Sequence, residues 1–322
     1  MNILGDAFNI IIFVSLIGSI FSVLMLLVKR ILHIVLPLWF SICSIAFFFI
    51  PVILPTLKLI PPEKHQWIHG YEIACFIWLG GMIVFLSYYG VRSIFAYNAL
   101  KKYMPCHDER IETILHDCIN TVALKRIPLV YFGTLKDPAC VVTLLHPAII
   151  LNRDIVEQLT DKELSIILCH EVMHIKRWHH VYQSIFDVVC IIHWFNPFSW
   201  IAKSDFSMQC EMDCDQMVLS NMSDDVTEID YATAMLRLMT LSSKTKKYHG
   251  HNIAALGFIL AKQRMSYVLK SPSPHKRVIA IMVMVFFLSA TILFSGYLSR
   301  SHFYPYPAYD AGIEYADTTG IK

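Results

Sequence analysis

Charge is what this sequence has least of. Asp, Glu, Lys and Arg supply 16% of 322 residues against 56% hydrophobic ones, with a mean hydropathy of +0.51. That is too little charge to clothe an ordinary soluble domain of this size, so part of the chain must face lipid. Neither sign is in excess: the net charge of +2 builds no basic field, which removes direct nucleic-acid binding from the reading. Nine cysteines are odd in number and scattered, with Cys43 and Cys75 inside apolar runs. They exclude a disulfide scaffold, and reduced thiols in a cytosolic domain are expected. The first apolar run is expected to be a span rather than a cleavable leader, because Lys29 and Arg30 follow it rather than precede it and no small-residue cleavage site comes after.

What the chain has instead is four long apolar runs. The first covers residues 8–28. The second, 34–60, is interrupted by Pro37, Pro51 and Pro55, which neighbouring helices can accommodate. After a polar turn at 61–67 the third runs over 73–96 and carries Gly80, Gly81 and Gly90, suited either to close helix contact or to lipid. The fourth, 278–298, follows His275, Lys276 and Arg277. Lys29, Arg30, Arg92, Lys101, Lys102, Lys276 and Arg277 fall on one side, which the positive-inside rule makes the cytosol. The expected organisation is three spans within 1–97, a cytosolic domain over 98–277, a fourth span, and an outer tail, 299–322, too short to fold alone. The amino terminus lies outside.

Within 98–277 the periodicity predicts a helix over 108–124 capped by Asp108, then strand-like runs at 127–132, 139–145 and 148–151. A small sheet there either covers the next helix or offers an edge to an extended peptide. That next helix starts at Thr160 and carries His170-Glu171-Val172-Met173-His174. Residues i and i+4 share a helix face, so both imidazoles can reach one ion while Glu171, about 100° round, can touch a water on it. This is the helical half of a zinc hydrolase site.

Catalytic zinc usually takes a third protein ligand. Beyond the Asn196-Pro197 turn a new helix holds Glu211 and Asp215, again i and i+4. One carboxylate can bind the metal while the other accepts the free N–H of a ligating histidine. Cys210 and Cys214 read as core residues. His179, His180 and His193 read as structural or interfacial, His249 and His251 as bystanders, and the aromatics from Trp194 to Trp200 as an interfacial anchor.

His170-Glu171-x-x-His174, the Trp194-Phe195-Asn196-Pro197 turn with Trp200, and Glu211-x-x-Cys214-Asp215 together resemble the BlaR/MecR-type antirepressor zinc peptidases, membrane transducers of β-lactam resistance. The resemblance covers nearly the whole chain. It implies a bacterial membrane protein with four transmembrane helices and a cytosolic, mainly helical α+β gluzincin-type domain with a small sheet. Zinc would be held by His170, His174 and Glu211, with Glu171 as general base and Asp215 behind a ligand. The implied substrates are the chain itself and a cytosolic protein such as a winged-helix repressor, with a homodimer among the implied assemblies. The place where the family cuts itself corresponds to residues 252–258, and the Gly257-Phe258 bond is the expected site.

Two features depart from the family. Its receptors continue into an extracellular penicillin-binding domain where only residues 299–322 follow here, so β-lactam sensing is not among the expectations. His179 stands where the family usually has an acid, which should weaken a packing or outer contact while removing neither ligand nor base. The competing readings are a membrane gluzincin of quality-control or prenyl-protein-processing type, disfavoured by the Asn196-Pro197 turn, and a signalling scaffold without catalysis, disfavoured by the intact motif.

Overall fold

Two long apolar helices carry the rest of the chain. In the computed structural model, which describes residues 3–32, 38, 41, 42, 45, 48, 71–133, 138–142, 147–221, 226–245 and isolated positions from 264 to 289, they are α1 (Ile3–Leu32) and α2 (Tyr71–Leu100). Both contain stretches long and apolar enough to cross a membrane, Val14–Ile31 and Ile73–Leu100. Only 11% of the second stretch is buried against protein. Ile73, Phe76, Ile77, Val84, Leu86, Ile94 and Phe95 all point outward, an apolar surface that water would penalise and lipid would not. The first and third expected spans correspond to these helices. Most of the second and fourth, the tail, and Gly257 and Phe258 lie outside the described residues.

A four-stranded sheet follows: β1 (Met104–Pro105), β2 (Leu129–Phe132), β3 (Ala139–Val142) and β4 (Ala148–Leu151), in the order β1-β2-β4-β3. β2 and β4 run parallel and the outer pairs antiparallel. That leaves β3 at an edge beside the metal-motif helix. β4 is fully buried, consistent with its unbroken Ala-Ile-Ile-Leu. Between the strands and after them come α3 (Glu109–Val122), α4 (Arg153–Val156), α5 (Asp161–Lys176), α6 (His179–Ile192), α7 (Pro197–Asn221) and α8 (Glu228–Thr245). Asp108 caps α3 by accepting from the N–H groups of Arg110 and Ile111, as its position predicts.

α5 begins with a reciprocal capping box. Thr160 Oγ1 accepts from Glu163 N at 3.3 Å, and Thr160 N donates to Glu163 Oε2 at 2.8 Å. Arg237 on α8 donates to both Glu163 oxygens, so the cap also ties α8 to the start of α5. Thr160→Ala is expected to lower stability by about 1 kcal/mol. Denaturant unfolding of the detergent-solubilised protein would read this, and an unchanged midpoint would remove the cap's assigned weight.

The main core gathers Ile111, Leu115, Ile149, Leu151, Leu164, Leu168, Val172, Met173, Val218 and Tyr231 around α5. A second cluster packs Leu38, Ile45 and Phe48 on Phe186, Val189, Phe206 and Cys210. The first half of α7 sits in the second cluster and its last turns in the first. Polar ties fasten the upper half to the apolar helices: Asn196 Nδ2 donates to Ser15 Oγ at 2.6 Å and to Ser19 Oγ at 2.8 Å, Lys29 pairs with Asp205, and Ser41 donates to Gln209. Gly81 serves close approach, since an added Cβ would fall 2.2 Å from the Trp194 ring, whereas Gly80 and Gly90 face open space. One expectation is corrected. Cys118 on α3 and Cys169 on α5 are joined as a disulfide, because the packing of these two helices brings their Cα atoms to 5.2 Å, inside bridging range. Cys106, Cys190, Cys210 and Cys214 are outside any disulfide.

Candidate metal centre

α5 is buried along Leu164, Ile167, Leu168, Val172 and Ile175, and this stripe fixes its rotation so that His170 and His174 face α7. Where α7 crosses, it delivers Glu211. His170 Nε2 and His174 Nε2 are 3.1 Å apart, His170 Nε2 is 3.4 Å from Glu211 Oε2, and His174 Nε2 is 3.5 Å from Glu211 Oε1. Ligand atoms on a tetrahedral ion with bonds of about 2.0–2.1 Å are separated by roughly 3.3 Å. Two imidazole nitrogens and a carboxylate at these distances fit a divalent transition metal and leave a position for water. Glu171 is half-buried on the same helix.

Asp215 sits one turn beyond Glu211 and is fully buried. Its Oδ1 lies 3.4 Å from His170 Nδ1, on the far side of that ring from the cluster, and accepts the Tyr231 hydroxyl at 2.6 Å. Arg264 donates Nε to Asp215 Oδ2 at 2.8 Å and Nη2 to Oδ1 at 2.7 Å, and its Nη1 lies 2.9 Å from Glu211 Oε2. The guanidinium thus bridges both carboxylates, as its planar fork allows.

The electrostatics ready His174 and Glu211 for a metal, while the acids around His170 favour its protonated form. Burial, and then the charge of His170, hold the His174 imidazole down at about 3, keeping it in the neutral form that ligates. For His170 burial opposes charging, but the Glu211 hydrogen bond and the Asp215 charge outweigh it and raise its pKa. Burial would raise Glu211 too, yet His170, His174 and Arg264 keep its carboxyl well below the usual range. The Tyr231 hydroxyl is pushed well up by burial and then by Asp215, so it stays protonated as a donor.

A second layer continues behind His174. Its Nδ1 lies 3.0 Å from His179 Nδ1, and His179 Nε2 lies 3.5 Å from Asp213 Oδ2. Arg177 holds Asp213 with Nε at 2.8 Å and Nη2 at 3.0 Å. Of the residues singled out by sequence, the fold brings together His170, His174, Glu211 and Asp215, with Glu171 adjacent. Sequence reasoning missed Tyr231, Arg264 and Asp213. For the first two no local signal exists, since they come from 16 and 49 residues beyond Asp215. Asp213 had none either, since a residue two after Glu211 projects to the other side of the helix.

Comparison with known proteins agrees with this geometry. The BlaR1 peptidase M56 family profile matches residues 56–268. The chain is 31% identical over 168 residues to the methicillin resistance mecR1 protein of Staphylococcus aureus strain Mu50, covering 49% of this chain and 28% of that protein. It is 21% identical over 169 residues to the regulatory protein BlaR1 of Bacillus licheniformis, 52% of this chain and 28% of that one. With the regulatory protein BlaR1 of Staphylococcus aureus it shares 22% over 242 residues, 73% of this chain and 40% of that one. The chain therefore spans well under half the length of these relatives. The profile match covers most of the chain and encloses α5, α7 and the whole donor cluster, so this protein belongs to the BlaR1 peptidase M56 family, a family of metallopeptidases.

Proposed function

We propose that this protein is a membrane-integral zinc endopeptidase of the antirepressor, signal-transducing type, which cuts itself and/or a cytosolic protein such as a winged-helix repressor. The observation that carries the reading is the convergence of His170, His174 and Glu211 within 3.1–3.5 Å of one another in a chain of the M56 family. His170 Nε2, His174 Nε2 and a Glu211 oxygen would hold the ion. When bound, zinc polarises the scissile carbonyl and lowers the pKa of its water toward neutrality. Glu171 takes the proton of that water and passes it to the leaving amine. Asp215 orients His170 from behind, accepting from its Nδ1.

The edge strand β3 beside α5 supports an extended substrate bound by main-chain hydrogen bonds. Self-cleavage at Gly257-Phe258 is supported by Arg264, which reaches the cluster only six residues after Phe258. We place the peptidase domain, 98–277, in the cytosol of a bacterial cell, with the amino terminus outside and four spans in the membrane.

Purified in detergent, the full chain should contain one zinc per polypeptide. A zinc chelator should stop appearance of a processed fragment, with activity returning on adding zinc, and the new amino terminus should read from Phe258. Metal-free protein or chelator-insensitive processing would overturn the reading, and a cut mapped elsewhere would remove the assigned bond.

A further inference from the structure

His179 is the first residue of α6 and is completely buried. It reaches that place through Trp178, whose φ of 58° puts a bulky non-glycine residue in the left-handed region. Such a backbone is strained for a residue with a Cβ, and its effect is to turn the chain back at once so that the His179 ring lies against His174. Their rings meet edge to face, centroids 5.0 Å apart. We propose that His179 is the positioning residue for the His174 ligand, carrying the charge of the Asp213 carboxylate to it through one hydrogen bond at Nδ1 and a 3.5 Å contact at Nε2. This rests on the reading that His174 ligates the ion through Nε2.

One proton arrangement accounts for the close approach of the two Nδ1 atoms. A metal on His174 Nε2 leaves the proton on Nδ1, which donates to His179 Nδ1 at 3.0 Å. His179 then carries its proton on Nε2, and Asp213 Oδ2 faces that nitrogen at 3.5 Å. Asp213 is itself held in a two-pronged pair by Arg177, at the end of the motif helix. A ligating histidine commonly donates its second N–H to a carboxylate; here a second imidazole extends the reach of one that is too distant to touch His174 directly. Cys214 Sγ lies 3.4 Å from the same His179 Nδ1. His174, His179 and Cys214 therefore also lie close enough together to hold an ion, which the experiment must separate from the hydrogen-bonded relay.

Zinc affinity of the full chain in detergent, measured by chelator competition, is the readout. His179→Ala should weaken zinc binding about 10–100-fold at unchanged stoichiometry. His179→Asp should restore most of the loss, because its carboxylate oxygen stands as many bonds from Cβ as Nδ1 does and can accept from His174 directly. Asp213→Asn, which preserves shape should the alanine variant misfold, should show a smaller loss in the same direction. Unchanged affinity in folded His179→Ala and Asp213→Asn, with His174→Ala losing zinc, overturns the relay alone. Full affinity in His174→Ala overturns the ligand reading and the relay together. Two zinc ions per wild-type chain, one of them lost in His179→Ala, would make the second cluster a metal site and also overturn the relay.

Discussion

Glu171→Ala is expected to keep one zinc per chain while processing falls by at least about a hundredfold. The separation follows from helix geometry. Glu171 is the neighbour of His170 and projects about 100° away from it round the helix, so the three ligand atoms, which lie within 3.5 Å of each other, do not include its carboxylate. Losing a ligand would empty the site, whereas losing the base leaves the ion held and the water without a proton acceptor. A positioned base contributes about 10²–10⁴-fold. Glu171→Gln sharpens the test, because the amide keeps the size of the side chain and still cannot take a proton. Metal analysis and fragment appearance on the same preparations decide the matter. Undiminished processing by either variant would remove Glu171 from the mechanism, and loss of zinc would move it into the metal's coordination.

The site was half legible in the sequence, and the half that was legible is local. His170 and His174 are four apart on a helix with a readable start at Thr160, and Glu211 and Asp215 repeat that spacing, so each pair could be placed on one face before any fold existed. That the two faces meet is a tertiary fact. It depends on α7 crossing α5, which is set by apolar packing around Leu168, Val172 and Val218 rather than by any motif. Arg264 and Tyr231 illustrate the limit, since nothing near either residue announces that it will end on Asp215. The same distinction holds in the sheet. The strand-like runs at 139–145 and 148–151 mark β3 and β4, but the parallel pairing of β2 with β4, skipping β3, and the two-residue β1 that contains Pro105 carry no local signature. The disulfide between Cys118 and Cys169 was hidden for that reason too, because 51 residues separate them and only the docking of α3 on α5 makes them neighbours.

α7 explains how the pieces hold together. Its first turns are bonded to α1 through Asn196 and Asp205, and the half that carries Glu211, Cys214 and Asp215 enters the core around α5. The apolar helices and the donor cluster therefore share one element, and Glu211, the proposed third ligand, is presented by a helix anchored at the far end from the cluster.

Asp215 is where that element is most sensitive. Asp215→Ala is expected to destabilise the protein by about 3–5 kcal/mol and to weaken zinc binding about 10–100-fold. The carboxylate is fully buried and accepts from the Tyr231 hydroxyl and from two nitrogens of Arg264. Removing it takes from the buried Tyr231 hydroxyl its short acceptor and leaves the guanidinium, among the described residues, with Glu211 to hold it, and unsatisfied groups of this kind cost more than the bonds themselves contributed. Arg264 would then compete with the metal for Glu211, and His170 would lose the group behind its Nδ1, so both effects on zinc act in one direction. Adding Arg264→Ala to Asp215→Ala should recover part of the stability, because the stranded charge is gone, while the orientation of His170 stays impaired. Unfolding midpoints and chelator competition on the single and double variants separate the two contributions. Strictly additive stability losses would show that Arg264 and Asp215 act independently, and zinc affinity unchanged in Asp215→Ala would remove Asp215 as the group that orients His170.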